Sequence, residues 1–337
     1  MHDTNSERIT LAQGAGGRAS QELMHKVIQP YFSNPILDIM HDGAALPALG
    51  AMAFTTDSYV VNPRFFPGGN IGKLAVCGTV NDLAMTGAVP KYLSLALILE
   101  EGFLVSELKV ILATMRDVAK EAQVHIVTGD TKVVGHGAVD GLFINTAGIG
   151  VLEQKAFSPQ AVQAGMDVII SGTLGDHAAT ILAQRHGIEV PTSLQSDCAP
   201  LANLVQIMRK VAPSLACMRD ATRGGVAAVL NEIATAANVG ILLEEESLPV
   251  REEVQGVVDF LGLDPLELAN EGKLVAFVQP EETEALLAAM HEHPYGKQAT
   301  KIGETTKKER GTVAMRTALG GIRIVDMPLG AIVPRIC

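Results

Sequence analysis

The 337-residue chain has no tryptophan, and only 4% of its residues are aromatic. Rings on which nucleic-acid bases would stack are therefore scarce. A basic surplus is missing too: the net charge is −11, spread along the chain, which disfavours a polyanionic partner. No apolar run approaches the roughly 18 uninterrupted residues of a membrane span. The opening residues show no basic segment followed by an apolar stretch, so no secretory signal is read and the expected compartment is the cytoplasm. Cys77, Cys198, Cys217 and Cys337 contain no Cys-x-x-Cys pair, which argues against a zinc knuckle, a thioredoxin-type motif or a disulfide framework. Three of them lie among apolar or small residues and read as core thiols. Cys337 ends the chain, where a core role is hard to arrange.

Glycine is abundant, at 33 residues, and clusters at positions 14–17, 68–72, 135–150 and 224–225. Between the clusters, strand-like and helix-like stretches alternate. Residues 53–61, 91–99, 124–128 and 142–149 read as strands, and 72–87 and 106–122 as helices. The helix at 72–87 is expected to bury one face through Leu74, Cys77, Leu83 and Ala84. A joint near residues 154–163 precedes a second alternation, with strands at 166–171, 241–243 and 274–278 and helices at 176–184, 199–211, 225–237 and 281–291. The length and this pattern predict a two-domain α/β (α+β) protein. The expected divisions are a Gly-rich segment 1–40, domains 41–155 and 156–325, and a tail 326–337. Two prolines and a glycine without periodicity make that tail extended, with a reach of roughly 40 Å.

Four aspartates recur at strand ends or among small helical residues: Asp57, Asp82, Asp130 and Asp220. Carboxylates in such places hold a magnesium ion that bridges nucleotide phosphates, although each alone also reads as a cap or turn residue. Gly14, Gly16 and Gly17 offer a backbone that approaches phosphate closely, or a flexible turn. The segment Gly68-Gly69-Asn70-Ile71-Gly72-Lys73-Leu74 superficially suggests a P-loop, with Lys73 as its lysine. It fails as a Walker motif because three residues separate the glycines and Leu74 stands where a hydroxyl should be. Lys132 follows Asp130 closely enough to serve as a phosphate partner. Glu271, in Asn270-Glu271-Gly272-Lys273, reads equally as an exposed turn residue or a functional carboxylate. His177 at a helix start reads first as structural, and His291 and His293 as solvated. The terminal Cys337 is a nucleophilic thiol on an arm that swings between sites. Thiol and aspartates together suggest an enzyme that modifies its own tail.

Five segments carry a resemblance to a known family. They are Phe65-Phe66-Pro67-Gly68-Gly69-Asn70-Ile71-Gly72-Lys73-Leu74-Ala75, Val127-Thr128-Gly129-Asp130-Thr131-Lys132-Val133-Val134, Arg219-Asp220-Ala221-Thr222-Arg223-Gly224-Gly225-Val226, Ala269-Asn270-Glu271-Gly272-Lys273-Leu274 and the terminal Pro334-Arg335-Ile336-Cys337. Together they closely resemble the HypE family of hydrogenase maturation proteins. The resemblance implies the two-domain fold of aminoimidazole ribonucleotide synthetase, with N-terminal domains pairing into a dimeric β-barrel and ATP bound between domains and across the dimer. It further implies ATP-dependent dehydration of an S-carbamoyl group on Cys337 to a thiocyanate, then cyanide donation to iron on a scaffold of two other maturation proteins. The expected cofactors are ATP and Mg2+, and a carbamoyltransferase loads the tail. Asp57, Asp82, Asp130 and Asp220 would hold the metal, Lys132 would stabilise the oxygen or phosphoryl group, and Glu271 would accept the amide protons. Two alternatives stand beside this reading. A selenophosphate synthetase-like or thiamine-monophosphate kinase-like enzyme is one, but residues 1–76 lack the early cysteine of the former and the latter has no use for a terminal thiol. A non-catalytic thiol carrier is the other, and it would not need the aspartates.

Overall fold

The computed structural model describes residues 7–15, 17–40, 43–330 and 333–337. Two short helices, α1 (Arg18–Leu23) and α2 (Gln29–Phe32), precede β1 (Met52–Tyr59). The hairpin of β2 (Phe65–Phe66) and β3 (Gly69–Asn70) leads into α3 (Ile71–Met85). Then come β4 (Val89–Glu100), α4 (Val105–Glu121), β5 (His125–Val134) and β6 (Leu142–Val151). The first sheet has the order β1-β6-β4-β5, with β4 and β5 parallel across α4 and the other pairs antiparallel.

Local chemistry sets these elements. Asn70 caps α3, its side-chain oxygen accepting from the N–H groups of Gly72 (2.9 Å) and Lys73 (3.2 Å). Leu108, Ile111, Leu112, Met115 and Val118 recur at helical spacing and form the buried stripe of α4. The expectation for α3 needs correction: it is buried nearly all round rather than on one face. It packs on β1 and β6 on one side and reaches β8 and α6 of the second half on the other, so no solvent side remains.

The second half runs β7 (Asp167–Ile170), α5 (Asp176–His186), α6 (Ala202–Val211), β8 (Cys217–Asp220) and α7 (Gly225–Ala237). It continues through β9 (Gly240–Glu244), α8 (Glu252–Leu261), β10 (Leu274–Val278) and α9 (Pro280–His291). It closes with β11 (Thr300–Thr306), β12 (Val313–Arg316) and β13 (Ile322–Ile324), none of which the sequence pattern announced. The sheet order is β13-β12-β9-β11-β7-β10-β8. β7 and β10 are wholly buried, as unbroken apolar strands covered on both faces must be. Leu274, Ala276 and Val278 of β10 join the core shared with α3, α5 and α6, while Val275 and Phe277 join the core under α7. The first of these cores runs without a break from the first sheet to the second, which fixes the groove between them.

Candidate active site

The groove collects residues from β1, α3, β8, the turn at residues 270–273 and the chain terminus. On β1, Thr55, Asp57 and Tyr59 alternate onto the face covered by α3. The Thr55 hydroxyl donates to Asp82 Oδ2 at 2.8 Å, which sets the Asp57 strand against the Asp82 helix. Asp220 ends β8 opposite Leu274, beside the turn that carries Glu271. Burial raises the Asp82 carboxyl above its ordinary value, and Asp57 adds to this. Burial, followed by the charge of Asp82, pushes Asp220 up to about 7, with Arg219 only partly opposing. The three carboxylates therefore share more negative charge than nearby arginines neutralise.

Glu271 is 3% exposed, so the exposed-turn reading is overturned. Its Oε1 has no hydrogen-bond partner among the described residues. Burial, then the charges of Cys198, Asp197, Asp220 and Asp57, lifts its proton affinity well above that of an ordinary glutamate. Asp197 holds the turn from behind: it accepts from the N–H groups of Glu271 (3.1 Å) and Gly272 (3.2 Å) and lies 3.3 Å from Lys273 Nζ. Burial alone would raise Asp197, but Lys273 and the backbone donor outweigh it and hold the carboxyl below its usual value. Gly272 is required here, because a side chain would run into the Asp197 carbonyl.

Cys337 lies in this groove. The extended, swinging tail expected from the sequence is not what its last residues show: they turn at residues 334–335, where Arg335 has φ +52°, and they are docked in the groove. Val60 N–H donates to the main-chain oxygen of Cys337 (3.0 Å) and Asn62 N–H to the carbonyl of Arg335 (3.2 Å). Arg185 donates to the carbonyls of Asn62 (2.5 Å), Pro334 (2.7 Å) and Arg335 (2.5 Å). Arg335 reaches back to the Val60 carbonyl (2.9 Å) and to Asp140 (2.8 Å). His177 Nε2 meets the Ile336 carbonyl at 2.8 Å. Burial pushes the Cys337 thiol up to about 12; Glu271 and Asp57 add to the rise and Arg223 opposes it. The thiol expected on a swinging arm is thus held protonated in the groove, within the electrostatic reach of the Glu271 carboxyl.

Other expected site residues stand elsewhere. Cross-strand register aligns Asp57 with Thr146, Leu95 and Gly129, while Asp130 aligns with Ala96, Asn145 and Ser58. Asp57 and Asp130 thus occupy opposite edges and opposite faces of the first sheet, about 14 Å apart at three strand spacings. Asp130 and Lys132 pair with each other at 3.1 Å, both exposed, and do not reach Cys337 within this chain. Lys73 donates to the Gly68 carbonyl at 2.9 Å. Gly14 packs so closely on β5 that a Cβ would meet Val133 N at 2.8 Å, which gives it a packing role. Gly17 precedes α1 in open space, and Gly16 lies outside the described residues. His291 is exposed, as expected, and donates from Nε2 to the Ala299 carbonyl (2.8 Å), whereas His293 is buried beside Tyr295 rather than solvated. Asp197, His177 and Arg185 were missed as site residues because their partners lie far along the chain and no local motif surrounds them.

Among the described residues no three His, Cys, Asp or Glu side chains stand ready as a metal cage. No helix among them is long and apolar enough to cross a membrane.

The sequence matches two family models, AIR synthase related protein, N-terminal domain, over residues 40–152, and AIR synthase related protein, C-terminal domain, over 163–316. It is 51% identical to the carbamoyl dehydratase HypE of Rhodobacter capsulatus over 98% of each chain. It superimposes on a crystal structure of hydrogenase maturation protein HypE in complex with ATP with a TM-score of 0.94, at 46% identity over 97% of this chain and 99% of that one. A crystal structure of a HypE–HypF complex gives 0.80, at 47% identity over 91% and 99%. The expected α/β fold of the aminoimidazole ribonucleotide synthetase type is therefore present.

Proposed function

The chain belongs to the HypE family of carbamoyl dehydratases that serve hydrogenase maturation, and from that premise we propose that it uses ATP to turn an S-carbamoyl group on its own Cys337 into a thiocyanate. The observation that supports this reading is the docked tail, which seats the thiol in the groove that also holds the buried Glu271 carboxyl. An amide oxygen leaves poorly. Transfer of the ATP γ-phosphoryl group to that oxygen gives ADP and makes phosphate the leaving group. The carbon–oxygen bond then breaks, the nitrogen gives up both protons, and S–C≡N remains. Glu271 is the base we assign to those protons, and its raised proton affinity makes its ionised form a strong acceptor. The groove excludes water around a step that removes water.

The carboxylates fit a magnesium ion that arrives with the nucleotide. Asp220 carries a proton affinity raised by burial and then by the charge of Asp82, and a divalent ion would offset both. Mg2+ typically takes one or two carboxylates plus phosphate oxygens, so the absence of an all-protein cage among the described residues accords with it. Asp57, Asp82 and Asp220 would hold it, and it would neutralise charge on the transferring phosphoryl group.

Asp130 and Lys132 are assigned to the nucleotide site of a second copy of the chain. The face of the first sheet that bears them is open and carries Phe54 at 71%, Met52 at 55% and Ile98 at 38% exposure. Apolar residues on an uncovered sheet face favour pairing with a like surface, which supports a homodimer. Gly14, Gly17 and Lys73 remain candidates for nucleotide contact, and a carbamoyltransferase of the HypF type and an iron-carrying scaffold are the proposed partners.

Intact mass tests the reading. Carbamoylation should add about 43 mass units, and ATP should then remove about 18, both at a nucleophilic thiol. Cys337→Ala should show neither change. Loss of about 18 in that variant, or in wild type without ATP, would refute the tail mechanism.

A further inference from the structure

We propose that His177 is a positioning residue that latches the tail into the groove by donating a hydrogen bond to the peptide carbonyl immediately before the reactive cysteine. This deepens the reading of Cys337 given above and rests on it for its catalytic consequence. His177 is fully buried near the start of α5, with its ring edge-on to Phe66 at 5.5 Å. Its Nε2 lies 2.8 Å from the Ile336 carbonyl oxygen and its Nδ1 2.8 Å from Ser196 Oγ.

The proton assignment follows by elimination. A carbonyl only accepts, so Nε2 must carry the proton. Burial lowers the ring's affinity for a second proton, so Nδ1 stays bare and accepts from the Ser196 hydroxyl. Ser196 is free to donate because its oxygen accepts at the same time from Cys198 N–H at 3.2 Å. The order is therefore Cys198 N–H to Ser196, Ser196 O–H to His177, and His177 N–H to Ile336. Each group has one partner in the direction it needs, and the tautomer is set from behind.

What the latch controls is the placement of one residue. Arg185 holds the carbonyls of Pro334 and Arg335, and Val60 holds the main-chain oxygen of Cys337. Among the described residues only His177 supplies a partner to the Ile336 carbonyl, and the Ile336 side chain is 3% exposed beside Arg223 in a cavity of about 300 Å3. Without that bond the Ile336 carbonyl would be buried and unsatisfied in the docked state, so the tail would shift outward. The thiol would then spend less time in the groove.

Alkylation of Cys337 by iodoacetamide, followed by peptide mapping, reads the docked fraction directly. The other thiols, Cys77, Cys198 and Cys217, are at most 2% exposed and stay silent. Asparagine at position 177 mimics only the Nδ1 end of the ring, whereas glutamine places an amide N–H near Nε2. His177→Asn should therefore speed Cys337 alkylation about fivefold, the change expected for one lost hydrogen bond, and His177→Gln should stay near the wild-type rate. Equal rates in both variants, whether unchanged or raised alike, would overturn the donor latch. Should His177→Asn not fold, Ser196→Ala decides: about a twofold faster alkylation supports the relay, and an unchanged rate overturns it. The measurement needs neither ATP nor a loaded tail, so it stands or falls apart from the chemistry. With the carbamoylated chain, His177→Asn should lower kcat for the mass loss while leaving KM for ATP unchanged. If the latch holds and that mass loss never occurs in wild type, the proposed dehydration fails and the latch survives.

Discussion

Glu271 and Asp197 are buried carboxyls at the same turn, one carried by it and one bracing it from residues 194–198, yet they behave oppositely. Asp197 has an ammonium group at 3.3 Å and two backbone N–H donors, and it is held ionised. Glu271 has an oxygen without a partner among the described residues and holds its proton far more tightly than usual. The difference is one of supply. The turn offers a single buried cation, Lys273, and places it behind the backbone rather than beside the thiol. Asp197 therefore maintains the shape of the turn, and Glu271 is left able to change its charge. Burial alone does not mark a functional carboxylate; burial without compensation does.

The comparison breaks most severely if Asp197 loses its cation. Lys273→Met should destabilise the fold by about 3 kcal/mol, because an uncompensated charge remains buried, and urea denaturation would show it as a lower midpoint. Asp197 would then resemble Glu271 in proton affinity. Glu271→Gln is the sharper test, since it keeps the shape and removes the base. Turnover of the carbamoylated tail should fall about a hundredfold, or about 2.7 kcal/mol, with thermal stability nearly unchanged. In wild type the same turnover should rise with pH through the elevated Glu271 value, as the carboxylate form accumulates. The last test concerns Asp220. Its folded value is about 7 against an ordinary value of 3.8, so the native state keeps a proton the unfolded chain has released, and stability falls as pH rises between the two. Asp220→Asn should remove that fall, so that the variant melts above wild type near pH 8 and level with it below about pH 4, as read by thermal melts at both pH values.

How much of this was legible in the sequence depends on where each residue's partners lie. The stripe of α4 and the apolar runs of β4, β7 and β10 carry their own signal, because burial on one face or on two writes a period into the residues. β11, with Lys301, Glu304 and Thr306, has little such signal; its strand form depends on β7 and β9 on either side. Asp57, Asp82 and Asp220 were readable as a set because small or apolar neighbours made each carboxylate conspicuous. Their separation from Asp130 was not, since strand register and sheet edge appear only after folding. Asp197 sits in Leu194-Gln195-Ser196-Asp197-Cys198, which has neither period nor motif. Its importance comes from Lys273, 76 positions further on. His177 was read as structural for the same reason, its partner being the Ile336 carbonyl near the opposite end of the chain.

The docked tail also has a kinetic meaning. Its main-chain oxygens accept from the N–H groups of Val60 and Asn62, yet it is joined to the same chain and never has to diffuse to its site. A short tether of this kind gives an effective concentration on the order of millimolar. A free peptide ending in Pro-Arg-Ile-Cys would therefore compete poorly with the resident tail. The arrangement favours a substrate in cis, and in the proposed cycle a carbamoyltransferase would have to draw the tail out against that local concentration each time it loaded the thiol.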